Sequence, residues 1–320
     1  MRTTMLLNCK ETAAFLRERD GFLILTHKRP DGDTIGSAAA LCVGLRAIGK
    51  RAYVAKNAEI TPRYESFVSP FYPADDFVPE TVVSTDIADT TLFPKNLMQY
   101  ADRVALSIDH HGVSRQFSEA LYNESDSAAT GELIWLLLEE LGVTVTKEIA
   151  DVLYAAISTD TGCFRFANTT PRTHRIAAAL MECGCDWAQM NYAYFSVKTV
   201  TRIAAESAMM GNLRYFADKK ITVAVISKAL RAETGATEDD LDGISSLPYQ
   251  IEGVEAGVTI FEQSDGYKIS LRTGARIHAA KVCGRFGGGG HDRAAGCHFA
   301  CSLEDVIASV VDALEEELNR

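Results

Sequence analysis

Four stretches of this chain end in acids and histidines that folding alone does not require. HKRPDGD carries His27, Asp31 and Asp33; Asp86 follows TVVST; Asp109, His110 and His111 follow VALSI; Asp160 follows YAAIST. Carboxylates gathered at one place repel one another unless cations bind between them. Carboxylate oxygens with a few imidazole nitrogens suit Mn²⁺ or a similar divalent ion better than a structural zinc site. Two such ions, about 3.5–4 Å apart, could share a carboxylate and activate water for in-line attack on phosphorus. Isolated acids such as Asp89 and Asp126 read instead as solvated residues or helix caps.

A second constellation lies late in the chain. Gly287, Gly288, Gly289 and Gly290 allow close backbone approach, and their N–H groups could cradle an anion. His291 and Arg293 follow at once, and Arg272 stands upstream at the end of an expected strand. Arginine forks match phosphate or carboxylate oxygens. Of the seven histidines, His27, His110, His111 and His291 fall within these stretches. His174, His278 and His298 read as structural, although His278 precedes the glycine loop.

The elements that must carry these residues alternate. Residues 11–19 read as an amphipathic helix. GFLILTH is a continuous apolar run, as in a buried parallel strand. KRPDGD is a turn, and SAAALCVGLRAIG a helix closed by Gly49. RAYVAK, ETVVSTD and DRVALSIDHH are further strands, GELIWLLLEELG is a helix, and IADVLYAAISTDTG is a helix running into a loop. The expected fold is α/β, with a mostly parallel sheet flanked by helices. Ligands of such sheets bind outside the carboxyl ends of the strands, where the acids and histidines fall. The character changes after residue 190. Residues 191–212 read as a helical linker, and 213–320 as a smaller α+β domain with strands ITVAVIS, GVEAGVTIFEQ and YKISLRT.

Composition narrows the class. The chain has 320 residues, is 47% hydrophobic and carries a net charge of −11. A grip on long nucleic acid needs a wide basic face, which this balance argues against. Eight cysteines without a CxxC pair fit free thiols in a reducing cytoplasm. No stretch is long and apolar enough to suggest a membrane span or a signal peptide.

HKRPDGDTIGS, STD, SIDHHG and STDTG, in that order, resemble the four motifs of the DHH phosphoesterases. ISLRTG followed by GRFGGGGHDRAAG resembles the DHH-associated C-terminal domain, and the whole looks most like the NrnA-type branch. The resemblance implies a catalytic, metal-binding domain over 1–190 and a substrate-binding domain over 213–320. It implies one metal on His27, Asp31 and Asp86, and a second on Asp33, Asp86, His110 and Asp160, so that Asp86 bridges. Asp89 is the reserve for Asp86, which directly follows the apolar run. Asp109 would orient an imidazole, and His111 would steady the substrate phosphate or protonate the leaving oxygen. Arg272, Gly288, Gly289, Gly290 and His291 would bind substrate, and Arg165 could also reach a phosphate. Two Mn²⁺ ions, a homodimer and a cleft between domains are further implications.

The activity so implied is hydrolysis of short oligoribonucleotides to mononucleotides and of 3′-phosphoadenosine 5′-phosphate to AMP. Hydrolysis of cyclic di-AMP or its linear product pApA is the nearest alternative. A nucleotide-binding sensor without catalysis is the alternative from another class, and no metal ligand is missing as that reading would require. A related inorganic pyrophosphatase is disfavoured by the glycine-histidine motif, and a RecJ-like exonuclease on long DNA by length and charge.

Overall fold

FLIL, TVVST and VALSID form buried strands, as their apolar runs predict, in the computed structural model, which describes residues 4–112 and 117–319. The chain divides into two compact units, Met1–Val197 and Lys198–Arg320. Among the described residues no helix is long and apolar enough to cross a membrane.

The first unit runs β1 (Met5–Leu6), α1 (Cys9–Arg17), β2 (Phe22–Leu25), α2 (Gly32–Ala47), β3 (Ala52–Val54), α3 (Pro62–Val68), β4 (Thr81–Thr85), β5 (Val104–Asp109), β6 (Ala120–Asn123), α4 (Thr130–Leu141), α5 (Lys147–Asp160), α6 (Pro171–Glu182) and α7 (Trp187–Asn191). Its sheet has the order β1-β6-β5-β4-β2-β3, with every neighbouring pair parallel. The expected sheet is mostly parallel; the observed one is wholly so, and it gains β1 and β6, two strands that no apolar run announces. The strand order reverses beside β2, because the chain goes to β3 on one side and returns to β4 on the other. Such a switch point opens a crevice at the carboxyl ends of β2 and β4.

Helix α2 begins one turn earlier than its apolar run suggests, at Gly32, because Asp31 caps it. It is buried on nearly all sides. Ile35, Leu41 and Leu45 have no exposed surface, and each such side chain contributes roughly 1.5–3 kcal/mol. Helix α5 lies against it so closely that a Cβ on Gly36 would fall 2.2 Å from the Val152 carbonyl oxygen and 2.9 Å from Ala156 Cβ. Only glycine permits that approach, and it brings the start of α2 beside the end of α5.

The second unit contains α8 (Val200–Gly211), β7 (Arg214–Phe216), β8 (Ile221–Ile226), α9 (Lys228–Thr234), β9 (Ala256–Gln263), β10 (Gly266–Thr273), α10 (Ala279–Gly284), β11 (Gly289–Gly290), β12 (Ala294–Phe299) and α11 (Leu303–Leu318). Its mixed sheet has the order β11-β12-β10-β9-β8-β7. Alternation along β8 separates two cores. Val223 packs with α10 and α11, whereas Ala224 packs with Ala205 and Met209 of α8. The segment expected as a linker, 191–212, is therefore divided. Residues 191–197 fall within the first unit, and α8 is a packed element of the second.

Candidate active site

The switch point collects the acids and imidazoles of the first unit. His27 and Asp31 follow β2, Asp33 lies in the first turn of α2, Asp86 follows β4, Asp109 ends β5, and Asp160 ends α5. Three interlocking groups each offer donor atoms close enough to share one cation: His27, Asp31 and Asp86; Asp33, His110 and Asp160; and Asp86, His110 and His111. His27 Nε2 lies 3.5 Å from both Asp31 Oδ1 and Asp86 Oδ2. His110 Nε2 lies 3.5 Å from Asp160 Oδ2, 3.6 Å from Asp86 Oδ1 and 3.8 Å from Asp33 Oδ2. Asp86 thus presents one oxygen to each imidazole.

Local structure holds each donor in place. Asp31 accepts from the backbone N–H groups of Asp33 and Thr34, so the capping residue of α2 is also a candidate ligand. Asp86 has a left-handed backbone (φ +60°), and its N–H donates to the Ile108 carbonyl at 2.9 Å. His27 Nδ1 lies 2.8 Å from the Lys28 carbonyl, and His110 Nδ1 lies 3.1 Å from the Ser127 carbonyl. Each contact makes Nδ1 the protonated nitrogen and Nε2 the one with a lone pair for a cation. Asp109, fully buried, accepts from the N–H groups of His110 and His111 and from His111 Nδ1 at 2.7 Å. It orients His111 directly and reaches His110 only through the backbone.

Asp33 reveals residues that the sequence did not disclose. Its carboxylate accepts from the N–H of Thr130 at 2.7 Å, the N–H of Gly131 at 2.9 Å and the Ser37 hydroxyl at 3.0 Å. The Thr130 hydroxyl donates to Asp86 Oδ1. Helix α4 starts at Ala129, which has no side chain to cap it, so its first N–H groups turn to Asp33. The missing cap in SDSAATGEL was the readable signal.

The electrostatics match a site built for positive charge. Burial raises the Asp33 pKa well above the usual carboxylate range, and repulsion from Asp86 and Asp160 adds to it. Burial also pushes Asp160 up to about 7; nearby His110 opposes the rise, while Asp31 and Asp86 reinforce it. Burial disfavours the charged forms of both His27 and His111. Even so, Asp31 and Asp86 hold His27 well above its ordinary value, and Asp109 with Asp86 lifts His111 to about 9.

In the second unit, Arg272 sits on β10 opposite Ala294 of β12. It donates to the Ser270 hydroxyl and the Leu271 carbonyl, and no carboxylate among the described residues pairs with it. Burial lowers its pKa. Gly288 and Gly290 are close to β12: added Cβ atoms would meet the Gly296 carbonyl oxygen at 2.1 Å and the Ala294 carbonyl oxygen at 2.5 Å. The close approach expected toward a ligand is, at these two positions, an approach to the neighbouring strand. Gly289 faces open space. The N–H of His291 closes the following turn onto the Ala294 carbonyl at 2.7 Å. Asp89 caps a short turn by accepting from Thr91 N–H, and Arg165 Nε donates to the Gly162 carbonyl.

Residues 21–157 match the N-terminal domain of the DHH family, and residues 218–320 match the DHHA1 domain. The bifunctional oligoribonuclease and PAP phosphatase NrnA of Thermus thermophilus is 32% identical over 93% of this chain and 90% of its own length. The chain belongs to the DHH family. The fold agrees. The crystal structure of an exopolyphosphatase-related protein from Bacteroides fragilis superposes with a TM-score of 0.84 at 21% identity, over 96% of each chain. RecJ from Thermus thermophilus, crystallised with Mn²⁺, superposes with a TM-score of 0.56 at 16% identity, over 98% of this chain and 55% of its own.

Within this DHH domain, the donors fit divalent ions such as Mn²⁺. They are oxygen-rich, include imidazole nitrogens whose tautomers leave Nε2 able to coordinate, and form overlapping groups around Asp86 and His110. The raised pKa values of Asp33 and Asp160 carry the same message, since a proton partly satisfies what a cation would satisfy fully.

Proposed function

We propose that this chain is a two-metal phosphoesterase that hydrolyses short oligoribonucleotides to mononucleotides and converts 3′-phosphoadenosine 5′-phosphate to AMP. The observation that carries this reading is the interlocking of three donor groups through Asp86 and His110. The substrate class follows from the NrnA relative that matches nearly the whole chain. Two Mn²⁺ ions are the proposed complement: one on His27, Asp31 and Asp86, the other on Asp33, Asp86, His110 and Asp160. Bound there, they would supply Lewis acidity at phosphorus and lower the pKa of water.

The chain's own residues divide the remaining work. Asp109 fixes His111 through Nδ1, and His111 would steady the scissile phosphate or protonate the leaving oxygen through Nε2. Arg272 offers a partly desolvated guanidinium without an acidic partner among the described residues, suited to a second phosphate or terminal oxygen. Gly288, Gly289, Gly290 and His291 would shape the surface beside it. The reading places catalysis in residues 1–190 and substrate recognition in 213–320, in a cytoplasmic homodimer.

The test is a substrate panel. The purified protein with Mn²⁺ is given 3′-phosphoadenosine 5′-phosphate, a diribonucleotide, pApA and cyclic di-AMP. Product is expected from the first two. The absence of product from all four would refute the enzyme reading. A far higher kcat/KM on cyclic di-AMP would replace the proposed substrate.

A further inference from the structure

Residues 123–132 hold four members of the donor cluster, Asp33, Asp86, His110 and His111, yet contribute no ligand to it. Asn123 donates to the His111 carbonyl at 3.0 Å. The Ser127 carbonyl fixes His110 Nδ1, Thr130 and Gly131 donate to Asp33, and the Thr130 hydroxyl donates to Asp86. Whatever fixes this segment therefore fixes the spacing of donors drawn from α2, β4 and β5.

Two further residues brace this segment. Arg172, in the first turn of α6, spreads its guanidinium across three groups of the segment. Nε donates to Glu132 at 3.0 Å, Nη1 donates to Glu124 at 3.0 Å, and Nη2 donates to the Ser127 hydroxyl. Glu132 is completely buried, and Thr173 donates to its other oxygen. A buried carboxylate needs such partners, so the clamp is obligatory rather than incidental. Exposed Asn168 donates to the Ala128 carbonyl at 2.9 Å and to the Asp160 carbonyl at 3.1 Å. It ties the segment to the end of α5, which supplies Asp160.

We propose that residues 123–132 form a frame that sets the geometry of the cation cluster, with Arg172 and Asn168 as its positioning residues. Neither contacts a donor atom of the cluster; Arg172 acts through Glu124, Ser127 and the start of α4, and Asn168 through the backbone of Ala128 and Asp160. Partners of ligating residues commonly alter metal affinity or activity about 10–100-fold when removed, because the ligands lose their fixed orientation. The inference rests on the two-metal reading above.

The 320-residue chain and its Arg172→Lys, Asn168→Ala and Ser127→Ala variants are titrated with Mn²⁺ by calorimetry, and each metal-free form is melted. Lysine keeps the charge at 172 but cannot fork across three partners. Alanine at 127 keeps the carbonyl that holds His110 and removes only the link to Arg172. About tenfold or greater weakening of Mn²⁺ binding is expected for Arg172→Lys and Asn168→Ala, and a smaller weakening for Ser127→Ala. Turnover should recover in part at saturating Mn²⁺. A lower melting temperature with wild-type Mn²⁺ affinity would mean a purely structural role and overturns the inference. If Arg172→Lys does not fold, Asn168→Ala decides: unchanged affinity overturns the proposal, and weakened affinity supports it. Failure of the wild-type protein to take up Mn²⁺ would overturn the phosphoesterase reading, and this inference with it.

Discussion

Asp86 stands one residue beyond β4 with a left-handed backbone, and each of its oxygens faces a different imidazole. Such a conformation costs a non-glycine residue on the order of 1–3 kcal/mol, and the repulsion of Asp33 and Asp160 adds to the burden. Asparagine tolerates the same backbone and removes the charge. Asp86→Asn should therefore unfold at higher urea than the wild type without metal, yet lose turnover with Mn²⁺ by at least about a thousandfold; comparable turnover would show that Asp86 does not bridge. Arg272 poses the complementary case. Arg272→Ala should raise KM at least tenfold while Mn²⁺ affinity, read by calorimetry, stays at the wild-type value. A loss of Mn²⁺ binding would break the assignment of metal and substrate to different units.

At the scale of elements, the site depends on how closely α2 and α5 approach. A methyl at Gly36 would meet the Val152 carbonyl, which is backbone and cannot turn aside. Gly44, on the same helix but away from the cluster, would meet only the tip of the Leu138 side chain. Gly36→Ala should destabilise the protein by about 1–3 kcal/mol and depress kcat/KM, because Asp33 and Asp160 ride on the two helices. Gly44→Ala should leave kcat/KM near the wild-type value, and equal losses at the two positions would separate the helix spacing from function. These contrasts also show what the sequence could and could not disclose. A continuous apolar run marked β2, shorter apolar stretches marked β4 and β5, and the residues just beyond them held most of the candidate ligands. The two-residue β1 and the four-residue β6 offered no such run. Arg172 lies far in sequence from the donors it supports and nothing in its neighbours points to His110, while for Thr130 the uncapped start at Ala129 was the one local signal. Gly36 looked like any other small residue of an alanine-rich helix, since its reason lies on α5.

For the molecule as a whole, the first unit is assembled around charges that oppose its own folding until a cation joins them. At 100 times its Kd, a bound ion adds about 2.7 kcal/mol of stability. Mn²⁺ should raise the melting temperature and slow amide hydrogen exchange at the starts of α2 and α4, with little change in β8 to β12. Equal protection of both units would contradict a cluster confined to the first. The uncapped start of α4 carries a consequence for engineering heat resistance. Standard practice would place serine at Ala129, since a hydroxyl there satisfies a helix's first N–H groups and adds about 1 kcal/mol. Here the second of those N–H groups, on Gly131, already belongs to Asp33, as does the first, on Thr130. A serine would compete for the Gly131 N–H and loosen the acid, so the apparent defect is a reserved seat, and repairing it would trade activity for endurance.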